Sequence, residues 1–167
     1  MDPFFIWIES TAFSTWMRES PSMFAFPAVL SVHTIGMGVV AGLAMALDLR
    51  VLGVAPEIPL GEMRKFLPVL WIGFWANAIS GVALLIAYPT KALTNPVFYL
   101  KLSLIAVALV LLKAMSRVLF DRPGRVDLRT SRLKALAISS LFCWIATITA
   151  GRLLAYTYSR LTAGFAG

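Results

Sequence analysis

Residues 22–47, SMFAFPAVLSVHTIGMGVVAGLAMAL, form a long apolar run whose single ionisable side chain is a histidine, His33. The run exceeds the roughly 20 apolar residues with which an α-helix crosses the hydrocarbon of a bilayer. Three more runs of this kind lie at about 66–88, 97–119 and 133–158. We therefore predict four transmembrane helices.

The composition supports a membrane protein of one domain over residues 1–167. Hydrophobic residues make up 59% of the chain and charged residues 14%, whereas soluble domains carry roughly 25% charged residues. The net charge of +7 comes from basic residues in the short loops between the apolar runs, a pattern typical of membrane topology and not of nucleic-acid binding. The predicted fold class is all-α, an integral membrane bundle of helices. The predicted partner of this bundle is the lipid bilayer.

The basic residues also predict an orientation. Ten of the fifteen lysines and arginines lie in the two loops, with their flanks, that join the first to the second run and the third to the fourth. The opposite side has Arg18, Lys91 and Arg160. Because basic loops stay in the cytoplasm, both termini are expected outside. In a bacterial inner membrane that side is the periplasm.

A segment before the first run is too interrupted by polar residues to span. Over residues 4–18, Ser10, Ser14 and Arg18 recur at helical spacing, while aromatic and aliphatic side chains fall on the other side. This pattern predicts an amphipathic helix in the membrane interface. An extension that packs on the bundle is the alternative.

Each apolar run carries one imidazole, amide or charged side chain in its middle or its outer half: His33, Asn77, Lys101 and Arg152. A charged group at such depth costs on the order of 2.5–3.5 kcal/mol, so it usually faces the interior and serves a function. No acidic residue lies at this depth in the four runs. A bound anion would balance the two cations.

These residues favour haem b as the bound cofactor. His33 would ligate the iron, Lys101 and Arg152 would bind the propionates, and Asn77 would support the imidazole. Gly36, one turn from His33, is expected to leave room for a flat macrocycle. The chain has no second histidine as a sixth ligand, so simple electron transfer is disfavoured. A quinone held by His33 and Asn77 is the alternative cofactor.

Four short motifs, HTIGMG, DLRVLG, NPVFYLK and GRLLAY, occur in this order along the chain. Together they resemble an uncharacterised family of small bacterial four-helix membrane proteins. The histidine in the first helix and the lysine that opens the third are also distantly similar to two other families. These are the membrane protoporphyrinogen oxidases, which are associated with haem, and the copper-resistance D type. The resemblance implies the fold and a site at His33 and Lys101, but no reaction.

A cofactor-free accessory or assembly subunit is the competing functional class. In that case His33 would form a hydrogen bond across the bundle, and Lys101 and Arg152 would extend to the lipid headgroups. The chain would then pack against copies of itself or against a larger membrane complex, with Gly38 and Gly42 allowing close approach of a helix. Anion passage is a third hypothesis.

Overall fold

The computed structural model describes residues 3–120 and 130–163, with side chains as far as residue 154. In these ranges the chain forms eight α-helices and no strand. They are α1 (Pro3–Glu9), α2 (Ala12–Glu19), α3 (Phe26–Leu52), α4 (Leu60–Arg64), α5 (Leu67–Ala87), α6 (Pro89–Leu93), α7 (Pro96–Phe120) and α8 (Ser131–Ala163).

Four of these helices, α3, α5, α7 and α8, are long and apolar enough to cross a membrane. The prediction of four candidate spans is therefore confirmed, and the chain has the composition of a multi-pass membrane protein. The largest difference from the predicted bounds concerns the first span. It ends at Leu52 instead of residue 47, because Gly53 takes the left-handed conformation (φ 102°) that terminates α3.

Proline or asparagine residues mark the starts of three long helices, α3, α5 and α7. Pro27 lies in the first turn of α3 and Pro68 in the first turn of α5, where the missing N–H costs no hydrogen bond. The Asn95 side chain accepts a hydrogen bond from the backbone N–H of Val97 at 3.0 Å and so caps the start of α7.

The helices pack in the order α5, α3, α8, α7, so that the first and last long helices are the central ones. α3 contacts both α5 and α8, and α7 contacts α8. In the part of the chain that the structure describes, α5 and α7 share no extensive contact. The bundle therefore has one open side, which lies between α5 and α7.

The core lies mainly in the half of the bundle where α3 and α7 end and α5 and α8 begin. We call this end the basic end and the other the amino-terminal end. The core combines small residues with a few large ones from all four helices, among them Ala44, Leu70, Leu112, Met115 and Trp144. Small residues let the backbones approach closely, which is how helices pack within lipid.

The amino-terminal segment forms two short helices rather than the single helix predicted over residues 4–18. The chain breaks at Ser10, and the side chain of Thr11 caps α2 by accepting from the N–H of Ser14 at 3.4 Å. The hydroxyl of Ser14 and the guanidinium of Arg18 donate to the backbone carbonyl of Ala87 at 3.3 and 3.4 Å. The segment thus packs on the end of α5, as in the alternative prediction of an extension that packs on the bundle.

Candidate functional site

His33 and Lys101 lie at similar depths, although their helices are diagonal to each other in the bundle. Both α3 and α7 begin at the amino-terminal end. His33 is seven residues and Lys101 five residues beyond these starts, or about 10 and 8 Å at 1.5 Å per residue. Both side chains are half-buried. The site therefore belongs to the half of the bundle away from the main core.

The imidazole of His33 is oriented by the backbone of α5. Its Nδ1 lies 2.9 Å from the carbonyl oxygen of Asn77. Since a carbonyl oxygen only accepts, Nδ1 carries the proton and donates it. The other ring nitrogen, Nε2, then keeps its lone pair. The amide nitrogen of the Asn77 side chain, a donor, lies 3.3 Å from Nδ1, but the carbonyl is closer, and the shorter contact assigns the Nδ1–H tautomer to His33.

The side chain of Asn77 completes the contact between α3 and α5. Its amide nitrogen donates to the backbone carbonyl of His33 at 2.7 Å. The hydroxyl of Ser80 lies 3.3 Å from His33 Nδ1 and donates to the carbonyl of Ala76 at 2.6 Å. The reciprocal pair of Asn77 and His33 fixes both the rotation of the helices and the direction of the ring.

Lys101 reaches the free nitrogen of this imidazole from α7. Its Nζ lies 3.5 Å from His33 Nε2, so the ammonium can donate to the lone pair. The carbon and nitrogen at the end of the Lys101 side chain come within 3.8 Å of the place where a Cβ on Gly151 would stand. This is an ordinary van der Waals distance, and it shows that the Lys101 side chain passes along α8 beside Gly151. The predicted convergence of His33, Asn77 and Lys101 is observed in the geometry.

Glycines bring α3 and α5 together beside this site. A Cβ on Gly36 would lie 2.8 Å from both the backbone nitrogen of Asn77 and the carbonyl oxygen of Gly73. A Cβ on Gly81 would lie 3.0 Å from the Cε1 atom of His33. Gly36 therefore does not leave the open space that was expected for a macrocycle, because the backbone of α5 fills it.

Arg152 does not join the cluster within this chain. Its side chain is exposed, and the described residues offer it no hydrogen bond or ion pair. Gly151 lies beside Lys101. Arg152 is the next residue of α8, and it faces outward. Of the two cations expected to bind one anion, only Lys101 adjoins His33. Gly38 and Gly42 are also exposed, with no atom of the described chain within 4 Å of a Cβ at either position.

Sequence reasoning missed two residues of the site, Ser80 and Gly81. They follow Asn77 by three and four positions, and this spacing places them on the same face of α5. A helical projection centred on Asn77 would have found them. Neither residue type is unusual in a membrane helix, so the sequence alone gave them no weight.

Asp48, near the end of α3, is a second buried polar residue, separate from the site at His33. Its side chain is fully buried, and neither carboxylate oxygen has a hydrogen-bond partner among the described residues. The Ser140 hydroxyl adjoins it without forming a hydrogen bond of normal geometry. Arg50, two positions along the chain, donates to the carbonyls of Ile58 and Pro56 at 2.7 and 2.9 Å and forms no ion pair with Asp48.

Comparison with protein families supplies one match. The model of the family described as "Family of unknown function (DUF6644)" matches residues 4–157, which include α3, α5, α7, most of α8 and the site at His33. No curated protein and no solved structure matches the chain. This match covers far more than half of the sequence, and the chain therefore belongs to the DUF6644 family of unknown function.

Proposed function

We propose that this protein binds a quinone of the membrane beside His33 and Lys101. The observation that carries the proposal is the 3.5 Å approach of Lys101 Nζ to the free Nε2 of His33. These two groups come from different helices, and they form a donor and an acceptor side by side in an apolar bundle. A flat, lipid-soluble ligand with a carbonyl oxygen matches this pair.

The hydrogen-bonding capacities of the pair suit both redox forms of such a ligand. The ammonium of Lys101 would donate to a quinone carbonyl, and the lone pair on His33 Nε2 would accept from the hydroxyl of the reduced form. A hydrogen bond to a charged donor contributes about 1.5–3 kcal/mol. The half-buried state of both side chains is compatible with entry from the bilayer.

Haem b is the second candidate, and one observation favours it. Histidines that ligate metals usually donate their other N–H to a backbone carbonyl or carboxylate, as Nδ1 of His33 does to Asn77. However, the ammonium of Lys101 occupies the position in front of Nε2, and α5 fills the space beside Gly36. Iron would require Lys101 to turn away from Nε2, whereas a quinone carbonyl would accept from the ammonium where it stands.

Replacing Lys101 by Met should lower the quinone content of the purified protein about tenfold, because one charge-assisted hydrogen bond is lost. The measurement is organic extraction of the protein in mild detergent, followed by quantification of quinone per polypeptide. Arg152→Gln is the matched control, since it removes a cation from the same half of the bundle at an exposed position. Equal quinone content in Lys101→Met, Arg152→Gln and the unchanged protein would contradict the proposal.

An absorption spectrum of the oxidised and dithionite-reduced protein distinguishes haem from quinone. A Soret band that shifts on reduction and disappears in His33→Ala would assign the site to haem in place of quinone. A colourless protein with quinone in the extract would support the first candidate. If neither cofactor is found after expression with adequate haem and quinone, the accessory-subunit hypothesis gains its main support.

A further inference from the structure

A cleft lies at the open side of the bundle, far from His33. It has a volume of about 360 Å³ and lies at the basic end. Residues of α4, α5 and α7 line it, among them Arg64, Trp71, Lys113, Ser116, Arg117 and Phe120. The cleft exists because α5 and α7 do not pack on each other there.

The cations of this cleft have no carboxylate partner in the described ranges. Arg64, Lys113 and Arg117 line it without an acidic residue among them. The salt bridge found in residues 3–120 and 130–154 joins Lys65 to Glu62 instead. Lys113 and Arg117 are four residues apart on α7, and like charges at this spacing repel each other. An anion in the cleft would relieve the repulsion.

The remaining walls of the cleft are apolar and aromatic. The ammonium of Lys113 lies 5.5 Å from the centroid of the Trp71 ring, within the range of a cation–π contact. Leu67 and Phe120 continue the apolar surface beside the cations. Membrane orientation alone requires basic residues at this end but no cleft. A ligand with an anionic phosphate and an acyl chain complements both walls.

We propose that this cleft binds the headgroup phosphate of an anionic phospholipid from the leaflet at the basic end. The guanidinium groups of Arg64 and Arg117 and the ammonium of Lys113 bind the phosphate oxygens, and the Ser116 hydroxyl donates to them. The acyl chains leave along the open side between α5 and α7. Basic pockets between transmembrane helices bind lipid headgroups in this way.

Native mass spectrometry of the full chain in mild detergent tests the proposal. Phosphatidylglycerol, phosphatidylcholine and inorganic phosphate are each added at equal concentrations. We expect retained adducts with phosphatidylglycerol, few with phosphatidylcholine, and few with inorganic phosphate. The double variant Lys113→Met and Arg117→Gln should bind phosphatidylglycerol about 25-fold more weakly, at roughly fivefold for each lost cation.

The double variant Arg132→Gln and Lys134→Gln is the matched control. It removes two exposed cations from the same end of the bundle, and neither lines the cleft. If both double variants bind phosphatidylglycerol equally weakly, the general positive charge of this end explains the binding, and the proposal is overturned. Retention of inorganic phosphate as strong as that of the lipid would overturn it as well. Because His33 and Lys101 are unchanged, the outcome does not depend on the proposed quinone.

Discussion

Gly36→Val should destabilise the protein by about 3 kcal/mol and disrupt the contact between α3 and α5. Even the Cβ of a new side chain would lie 2.8 Å from two backbone atoms of α5, the nitrogen of Asn77 and the carbonyl oxygen of Gly73. Backbone atoms in a helix do not yield as a flexible side chain does. The helices must therefore move apart, and the hydrogen bond from His33 to the Asn77 carbonyl is lost with them.

Gly38→Val is the matched control for this prediction, since it makes the same change two positions along the same helix. Gly38 is exposed, and no atom of the described chain lies within 4 Å of a Cβ there. Thermal unfolding is measured with a thiol-reactive fluorophore, because Cys143 is the one cysteine of the chain and is buried. Equal losses of stability in the two variants would show that α3 and α5 are not in contact at Gly36.

Asp48→Asn should raise the free energy of unfolding by about 1–3 kcal/mol, an unusual direction for a change in a protein interior. The carboxylate is fully buried and has no hydrogen-bond partner in the described part of the chain. A buried acid in such a place costs several kcal/mol, either as an unpaired charge or through the proton that it must bind to become neutral. Asparagine has nearly the same shape, so the substitution removes the acidic group without opening a cavity.

Thr147→Val provides a neutral comparison for Asp48→Asn on the adjoining helix α8. The Thr147 hydroxyl is also fully buried without a described hydrogen-bond partner, so its removal should stabilise by a smaller amount, about 1 kcal/mol. The same thiol assay on Cys143 measures both. If Asp48→Asn lowers stability while Thr147→Val raises it, the carboxylate is stabilised by a partner of its own and the prediction is wrong.

The sequence predicted the number of long helices well, because the length of an apolar run is set by the thickness of the bilayer. It predicted their ends less well. The first span continues to Leu52, since a helix stops where the backbone can take a positive φ, as at Gly53, and not where hydropathy falls. The break between α1 and α2 was also missed, because short polar residues such as Ser10 fit both a helix and a turn.

Depth along a helix was predictable from the sequence, whereas rotation about its axis was not. His33 and Asn77 were expected near the middle of the membrane and Lys101 nearer the outer surface, and the three side chains meet in one half of the bundle. Arg152 was expected in the same half, but it faces outward. A helix that is apolar on all sides carries no pattern that tells which side faces its neighbours. For the same reason the full burial of Asp48 could not be seen in the sequence.

The packing order has a consequence for how the chain assembles during synthesis. α3 with α5, and α7 with α8, form two hairpins of sequence neighbours, and the contact of α3 with α8 joins them. Local pairs form before distant ones, because their loops cost less entropy to close. We therefore expect the first hairpin to hold His33 against Asn77 before the ribosome has finished α8. Lys101 belongs to the second hairpin, so its contact with His33 forms only when the two hairpins pack together.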